Sequence, residues 1–294
     1  MAQTAEPERI LITAAQLHGL LLGGPAPVVL DVRWALGDPH GREHFEAGRI
    51  PGSVYVDLDT ELADPASPAR GRHPLPAIGA LQAAARRWGV DPDSAVVVLD
   101  DNGGLSAARA WWLLRWGGLR DVRLLDGGLG AWRRAGYELA GGPADEPAPG
   151  SVELTPGHLP VLTADETAEL PCGGVLLDAR AAERYRGESE PVDPRAGHIP
   201  GALSAPTAGN LNADGTFLDP GALRERFARL GADGTRPVGV YCGSGVTAAH
   251  EIAALALAGV PGALYPGSWS QWSADPSRPA ALGPNAAPER GETG

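Results

Sequence analysis

Four blocks of this chain occur twice, in the same order, and that repetition limits the fold more than any other feature. VVLDVR (28–33) followed by AGRIPGSVYVD (47–57) returns as VLLDAR (175–180) followed by AGHIPGALSAP (196–206). GGLSAARAWW (103–112) returns as SGVTAAHEIA (244–253), and GGLGAW (127–132) as GSWSQW (267–272). The spacing drifts, from 147 residues between Asp31 and Asp178 to 140 between Gly127 and Gly267. Collinear blocks with drifting offsets mark a duplicated unit whose loops later changed length. The length, 294 residues, suits two domains of about 150 residues each.

Each unit alternates short apolar runs with helical patterns. VVLDV, AVVVLD (95–100), VLLD and RPVGVYC (236–242) read as buried parallel strands. ALQAAARRWG (80–89), SAARAWWLLRWGG (106–118), PGALRERFARLG (220–231) and VTAAHEIAALALAG (246–259) read as helices that stop at glycine. Ser106 is placed to cap the second of these. TADETAEL (163–170) starts with a capping box, Thr163 with Glu166. The expectation is two tandem α/β domains, each a parallel sheet flanked by helices. The boundaries expected are a first domain over 8–139, a Pro/Gly/Ala linker over 140–160, a second domain over 161–282 and a disordered tail over 283–294.

Composition narrows the chemistry. The net charge is −12, with no basic run, so neither nucleic acid nor an anionic membrane is an expected partner. All 24 basic residues are Arg. The absence of Lys removes Schiff-base chemistry and the lysine of a phosphate-binding loop. Any anionic group on a substrate will therefore meet a guanidinium fork. Two cysteines 70 residues apart make neither a disulfide framework nor a metal knuckle. No stretch is long and apolar enough to span a membrane, and the N-terminal run, interrupted by His18, is a poor secretory signal. A cytoplasmic protein with reduced thiols is expected.

The sharpest local feature is VGVYCGSGVTAAH. A strand ends at Cys242, a loop of Gly243, Ser244 and Gly245 follows, and a long apolar helix begins. Ligands of open α/β sheets bind beyond the carboxyl ends of strands. Glycines let the loop turn amides inward, and the helix N-terminus adds partial positive charge. That setting suits a nucleophilic sulfur. The pattern alone also fits a buried structural cysteine. Cys172 has no helix after it and is expected to be inert. Aligning GGLSAAR with SGVTAAH sets Asp101 opposite Cys242, so the first domain is expected to be catalytically silent.

These residues resemble the duplicated rhodanese domains of thiosulfate and 3-mercaptopyruvate sulfurtransferases, over roughly residues 8–280. The motifs that carry the resemblance are Cys242-Gly243-Ser244-Gly245-Val246-Thr247, His198-Ile199-Pro200-Gly201, its weaker partner Arg49-Ile50-Pro51-Gly52, and Gly267-Ser268-Trp269. The uncharged CGSGVT loop resembles the mercaptopyruvate branch. The resemblance implies a persulfide on Cys242, with loop contacts from Gly243, Gly245, Val246 and Thr247. It implies a Ser–His–Asp relay of Ser244 with His73 and Asp59, drawn from the other domain. His73 taken alone would read as a solvated loop histidine. Arg184 matches the family arginine that binds the donor's carboxylate. A second arginine usually follows Glu-Pro, but here Glu190-Pro191 is followed by Val192, and Arg195 is the candidate replacement. Arg180 and Arg186 are expected to pair at the surface or between domains.

The implied function is transfer of sulfane sulfur from a small-molecule donor, 3-mercaptopyruvate, to a thiol or thioredoxin-like acceptor, without metal or organic cofactor. Thiosulfate:cyanide sulfurtransfer and a non-enzymatic sulfur-carrier module are the alternatives. A Cys-based phosphatase would need an Arg at position 248, where Ala stands.

Overall fold

The computed structural model describes residues 10–24 and 26–284. The expected tail lies outside the described residues from position 285 onward. The first half runs β1 (Leu11–Ile12), α1 (Ala14–Gly23), β2 (Val28–Asp31), α2 (Gly41–Ala47), β3 (Val54–Tyr55), α3 (Leu58–Glu61), α4 (Ile78–Arg87), β4 (Val96–Leu99), α5 (Ala107–Trp116), β5 (Val122–Leu125) and α6 (Gly128–Arg134). The second runs α7 (Ala164–Glu169), β6 (Val175–Asp178), α8 (Ala182–Arg186), β7 (Leu203–Ser204), α9 (Pro220–Arg229), β8 (Val238–Tyr241), α10 (Thr247–Leu257), β9 (Ala263–Leu264) and α11 (Ser268–Ala274). The strands form two sheets, β1-β5-β4-β2-β3 and β7-β6-β8-β9, and every pairing is parallel. The central strands are continuous apolar runs because helices cover them on both faces.

The repeated Asp-x-Arg motif closes the end of each central strand. Asp31 and Asp178 are buried carboxylates, and each binds the arginine two residues on. The Arg33 Nη2 donates to the Gly48 carbonyl at 2.8 Å, and Arg180 Nη2 to the Gly197 carbonyl at 2.6 Å. A buried charge needs a partner. Here the partner also anchors the loop that holds each Ile-Pro-Gly block. Arg180 is thus an internal tie within the second half, not the surface or inter-domain pair expected of it. Arg186 does pair at the surface, with Glu188.

The capping box of α7 forms as expected. Ser106 stands at the head of α5, but its hydroxyl donates to the Trp34 carbonyl at 2.9 Å and caps nothing. Residues 141–160 hold no helix or strand. They are strapped along the first half, with Val152 donating to the Val90 carbonyl and Val152 and Leu154 buried. We propose this strap as the boundary between the halves. Beyond it, α5 and α10 pack against each other, and one apolar cluster takes Trp112 from one and Ala253 from the other.

Strand register corrects the expected match of Asp101 with Cys242. Asp31 pairs Leu99 and Asp178 pairs Tyr241, so Asp100 follows its strand as Cys242 follows its own. The first turn is one residue longer, which is why an alignment anchored on the helix slips. Asp100 is fully buried, and its carboxylate accepts from the amides of Asn102, Gly104, Ser106 and Ala107 at 2.8–3.1 Å. Asp101 is exposed, 3.6 Å from Arg33. Asp100→Ala would strand four inward amides, so a loss of about 3 kcal/mol or more is expected in urea unfolding. A change below about 1 kcal/mol would mean that the amides find other acceptors.

Candidate active site

Cys242 lies at the carboxyl end of β8, 1% exposed. The amide of Gly245 donates to its sulfur at 3.1 Å. Gly245 takes φ +79°, and a Cβ there would stand 2.6 Å from the Pro266 carbonyl oxygen, so only glycine suits the turn. Gly104 and Gly245 correspond in the two halves, and the amide of each points at the residue after its strand. The start of α11 braces the loop from the other side. Trp269 donates its amide to the Cys242 carbonyl and Ser270 donates to that of Gly243. Ser268, at φ 53°, accepts from the Cys242 amide and donates its hydroxyl to the Tyr265 carbonyl. A left-handed serine is strained and persists where such contacts hold it. Val246 and Thr247 open α10, Val246 buried and Thr247 half-buried.

Ser244 faces the first half. Its Oγ lies 2.7 Å from His73 Nδ1, and His73 Nε2 lies 3.2 Å from Asp59 Oδ1. Trp34 Nε1 donates to both oxygens of Asp59, and the Trp34 ring meets His73 edge-on. A carboxylate only accepts, so His73 carries its proton on Nε2 and receives the Ser244 hydroxyl at Nδ1. Burial lowers the His73 pKa from 6.5 to about 4, helped by Arg109 and Arg72 and opposed by Asp59. The three residues expected as a relay, drawn from both halves, therefore stand in line.

Arg109 ties the halves together beneath this line. It is fully buried and donates to the carbonyls of Leu62, His73, Pro74 and Gly245. Burial lowers its pKa to about 10, and Cys242 opposes that shift. The sequence offered one signal for it: an arginine inside the apolar run AARAWWLL.

The arginines resolve differently from expectation. Arg184 binds Glu190 and Asp193 and stands beside Gly243. Arg195 does not reach the sulfur loop. Its fork is spent on the carbonyls of Trp272, Ser273, Asp275 and Arg278 at 2.7–2.9 Å, where it caps the end of α11. Arg72, which sequence reasoning passed over, also stands beside Gly243 and pairs with Asp193, as Arg184 does. Cys172 is exposed in a short turn away from this site.

The model of the rhodanese-like domain matches residues 13–135 and 163–275. A Mycobacterium tuberculosis protein provisionally named thiosulfate sulfurtransferase SseB is 48% identical over 281 residues, covering 94% of this chain and 98% of that relative. A Pseudomonas aeruginosa protein provisionally named 3-mercaptopyruvate sulfurtransferase is 48% identical over 282 residues, covering 93% and 98%. Among solved structures, SseA from Escherichia coli, presented as a 3-mercaptopyruvate sulfotransferase with the rhodanese fold, superposes with a TM-score of 0.78 at 33% identity, covering 88% of this chain and 98% of SseA.

The chain belongs to the rhodanese-like family. It is a sulfurtransferase built of two rhodanese domains, and the internal repeat is the trace of that doubling.

Two outcomes separate binding from structure in this protein. Arg195→Ala removes the guanidinium from four carbonyls and leaves those of Ser273 and Arg278 without this donor, so a loss of about 2–4 kcal/mol is expected in denaturant unfolding. The KM for the sulfur donor should move less than twofold; a rise without a stability loss would return Arg195 to the site. The ring protons of His73 should titrate by NMR near pH 4 and not near 6.5. The folded value lies below the unfolded one, so this group contributes no destabilisation above about pH 6.5, and stability falls as pH drops from there through about 4. A midpoint above pH 6 would contradict the burial of His73.

Proposed function

We propose that this protein moves sulfane sulfur from 3-mercaptopyruvate to a thiol acceptor through a persulfide on Cys242. The observation that carries this reading is the 2.7 Å contact of Ser244 with His73, beside a sulfur loop without a charged side chain. A proton relay is of use to a donor that leaves as an enolate, and of little use to one that leaves as sulfite. The name of the Pseudomonas relative supports the same donor.

The cycle balances as follows. The Cys242 thiolate attacks the donor sulfur, and an S–S bond forms as the donor's C–S bond breaks. The electron pair of that bond goes to the carbon next to the ketone, which gives the enolate of pyruvate. The donor's thiol proton passes through Ser244 to His73 Nδ1 and returns by the same path to the enolate. Asp59 holds the His73 Nε2 proton throughout. The persulfide rests against the amide of Gly245 and the first turn of α10. Arg184 holds the donor's carboxylate. An acceptor thiolate then takes the outer sulfur and releases the Cys242 thiolate. A thioredoxin-like dithiol fits this step, since its second thiol can release hydrosulfide as the disulfide closes. Two half-reactions on one group give ping-pong kinetics. Among the described residues no helix is long and apolar enough to cross a membrane, and we place the reaction in the cytoplasm.

Thiosulfate is the second reading, favoured by the name of the Mycobacterium relative. The two part on the ratio of kcat/KM for the two donors; a tenfold preference for thiosulfate would make the second reading the function. Cys242→Ser should abolish transfer and the one-sulfur adduct in intact mass, while Cys172→Ser keeps both. An adduct on Cys172 would remove Cys242 from its role. His73→Ala should slow turnover of mercaptopyruvate by about 10²-fold or more, and turnover of thiosulfate far less. Equal kinetics of wild type and variant on both donors would show that the relay carries no proton.

A further inference from the structure

Gly243 stands second in the sulfur loop, and two guanidinium groups bound the space beside its Cα. A carbon built there as Cβ would lie 3.1 Å from Arg72 Nη2, 3.5 Å from Arg184 Nη1 and 3.9 Å from Arg184 Nη2. Two cations from different halves thus converge on one point, next to the residue that carries the sulfur.

Neither of the two nearest nitrogens has a hydrogen-bond partner among the described residues, whereas the other ends of the forks are held. Asp193 takes Arg72 Nη1 with one oxygen and Arg184 Nη2 with the other, the latter at 3.1 Å. Glu190 takes Arg184 Nη2 at 2.6 Å and Nε at 3.3 Å. The Asp193 side chain is 2% exposed and that of Glu190 4%, so this bracket is buried and fixed. Arg72 is set from the far side as well, because its backbone amide donates to the Ser270 hydroxyl at 3.0 Å and Ser270 in turn donates its amide to the Gly243 carbonyl. Its Nε is buried without a partner. Spare guanidinium donors held a few ångströms apart match the geometry of a small oxyanion.

We propose that Arg72, supplied by the half without the sulfur loop, is the second cation that holds the donor's anionic group over Gly243, together with Arg184. For 3-mercaptopyruvate that group is the carboxylate. The inference rests on the reading of Cys242 as the nucleophile. A side chain at position 243 would occupy the anion's place, which gives a reason for glycine there. Arg72 precedes His73 directly, so one segment of the silent half brings both the anion contact and the relay base to the sulfur.

The test is alkylation of Cys242 in the Cys172→Ser background by iodoacetate and by iodoacetamide, which share their chemistry and differ in charge. Arg72→Gln is expected to slow iodoacetate by roughly tenfold and iodoacetamide by less than twofold, the loss of one charge-assisted contact. The KM for mercaptopyruvate should rise by a similar factor with kcat little changed. Arg72→Met is expected to behave the same way and serves where the amide variant does not fold. Rates that fall equally for the two reagents, or that stay as in the parent, overturn the proposal. The alkylation ratio needs no turnover and no particular donor, so a protein that prefers thiosulfate leaves this inference standing. A sulfur adduct found on Cys172 of the wild-type protein would instead defeat the nucleophile assignment.

Discussion

A strand that turns directly into a helix leaves backbone amides facing one point, and something electron-rich has to stand there. Both halves of this protein meet that constraint with the residue that follows the strand. In the first, Asp100 accepts four amides and is fully buried. In the second, Cys242 takes the place and accepts from Gly245. A carboxylate fills its nest permanently, whereas a sulfur can gain and lose a second sulfur in the same nest. The loop of the first half is therefore locked by its own carboxylate.

What the first half presents at the junction is set by a second constraint. His73 and Arg109 are buried polar groups, and burial of such groups is costly unless each finds partners. Each finds one of its partners across the junction: Ser244 for His73, the Gly245 carbonyl for Arg109. The halves are thus joined at the sulfur loop itself. A shift of one half against the other would leave Arg109 Nη1 without its acceptor, so the contacts that line up Ser244 and His73 also hold the halves in register.

The repeat, the central strands and the loop of Cys242 were legible because their signals are local: apolar runs, glycine stops and order along the chain. Asp101 was misplaced because the turn before α5 is one residue longer than its counterpart, and helix and strand then give different alignments. Only register, which is a contact between strands, decides for Asp100. Arg195 was a fair candidate by its distance from Glu190-Pro191, but spacing along a loop does not tell where a long side chain points. Four carbonyls at the end of α11 claim it. Arg72 gave no signal at all. Its meaning comes from Asp193 and Gly243, more than 100 positions away in the chain.

A chain whose cations are all arginine adds a last step. A guanidinium cannot shed its charge to escape burial, so each buried fork has to be matched with oxygens. In Arg33, Arg109, Arg180 and Arg195 every side-chain nitrogen has a named acceptor. These four are the rivets of strand ends, junction and helix end. Arg184 and Arg72 differ: both are braced by buried carboxylates, and both keep a donor unmatched beside Gly243. Arg49 also leaves a buried Nε unmatched, but at Gly243 the unmatched donors of two forks converge on one point, which favours an anion there. The distinction between a fully matched and a partly matched arginine here is one of leftover donors, and it can be read atom by atom.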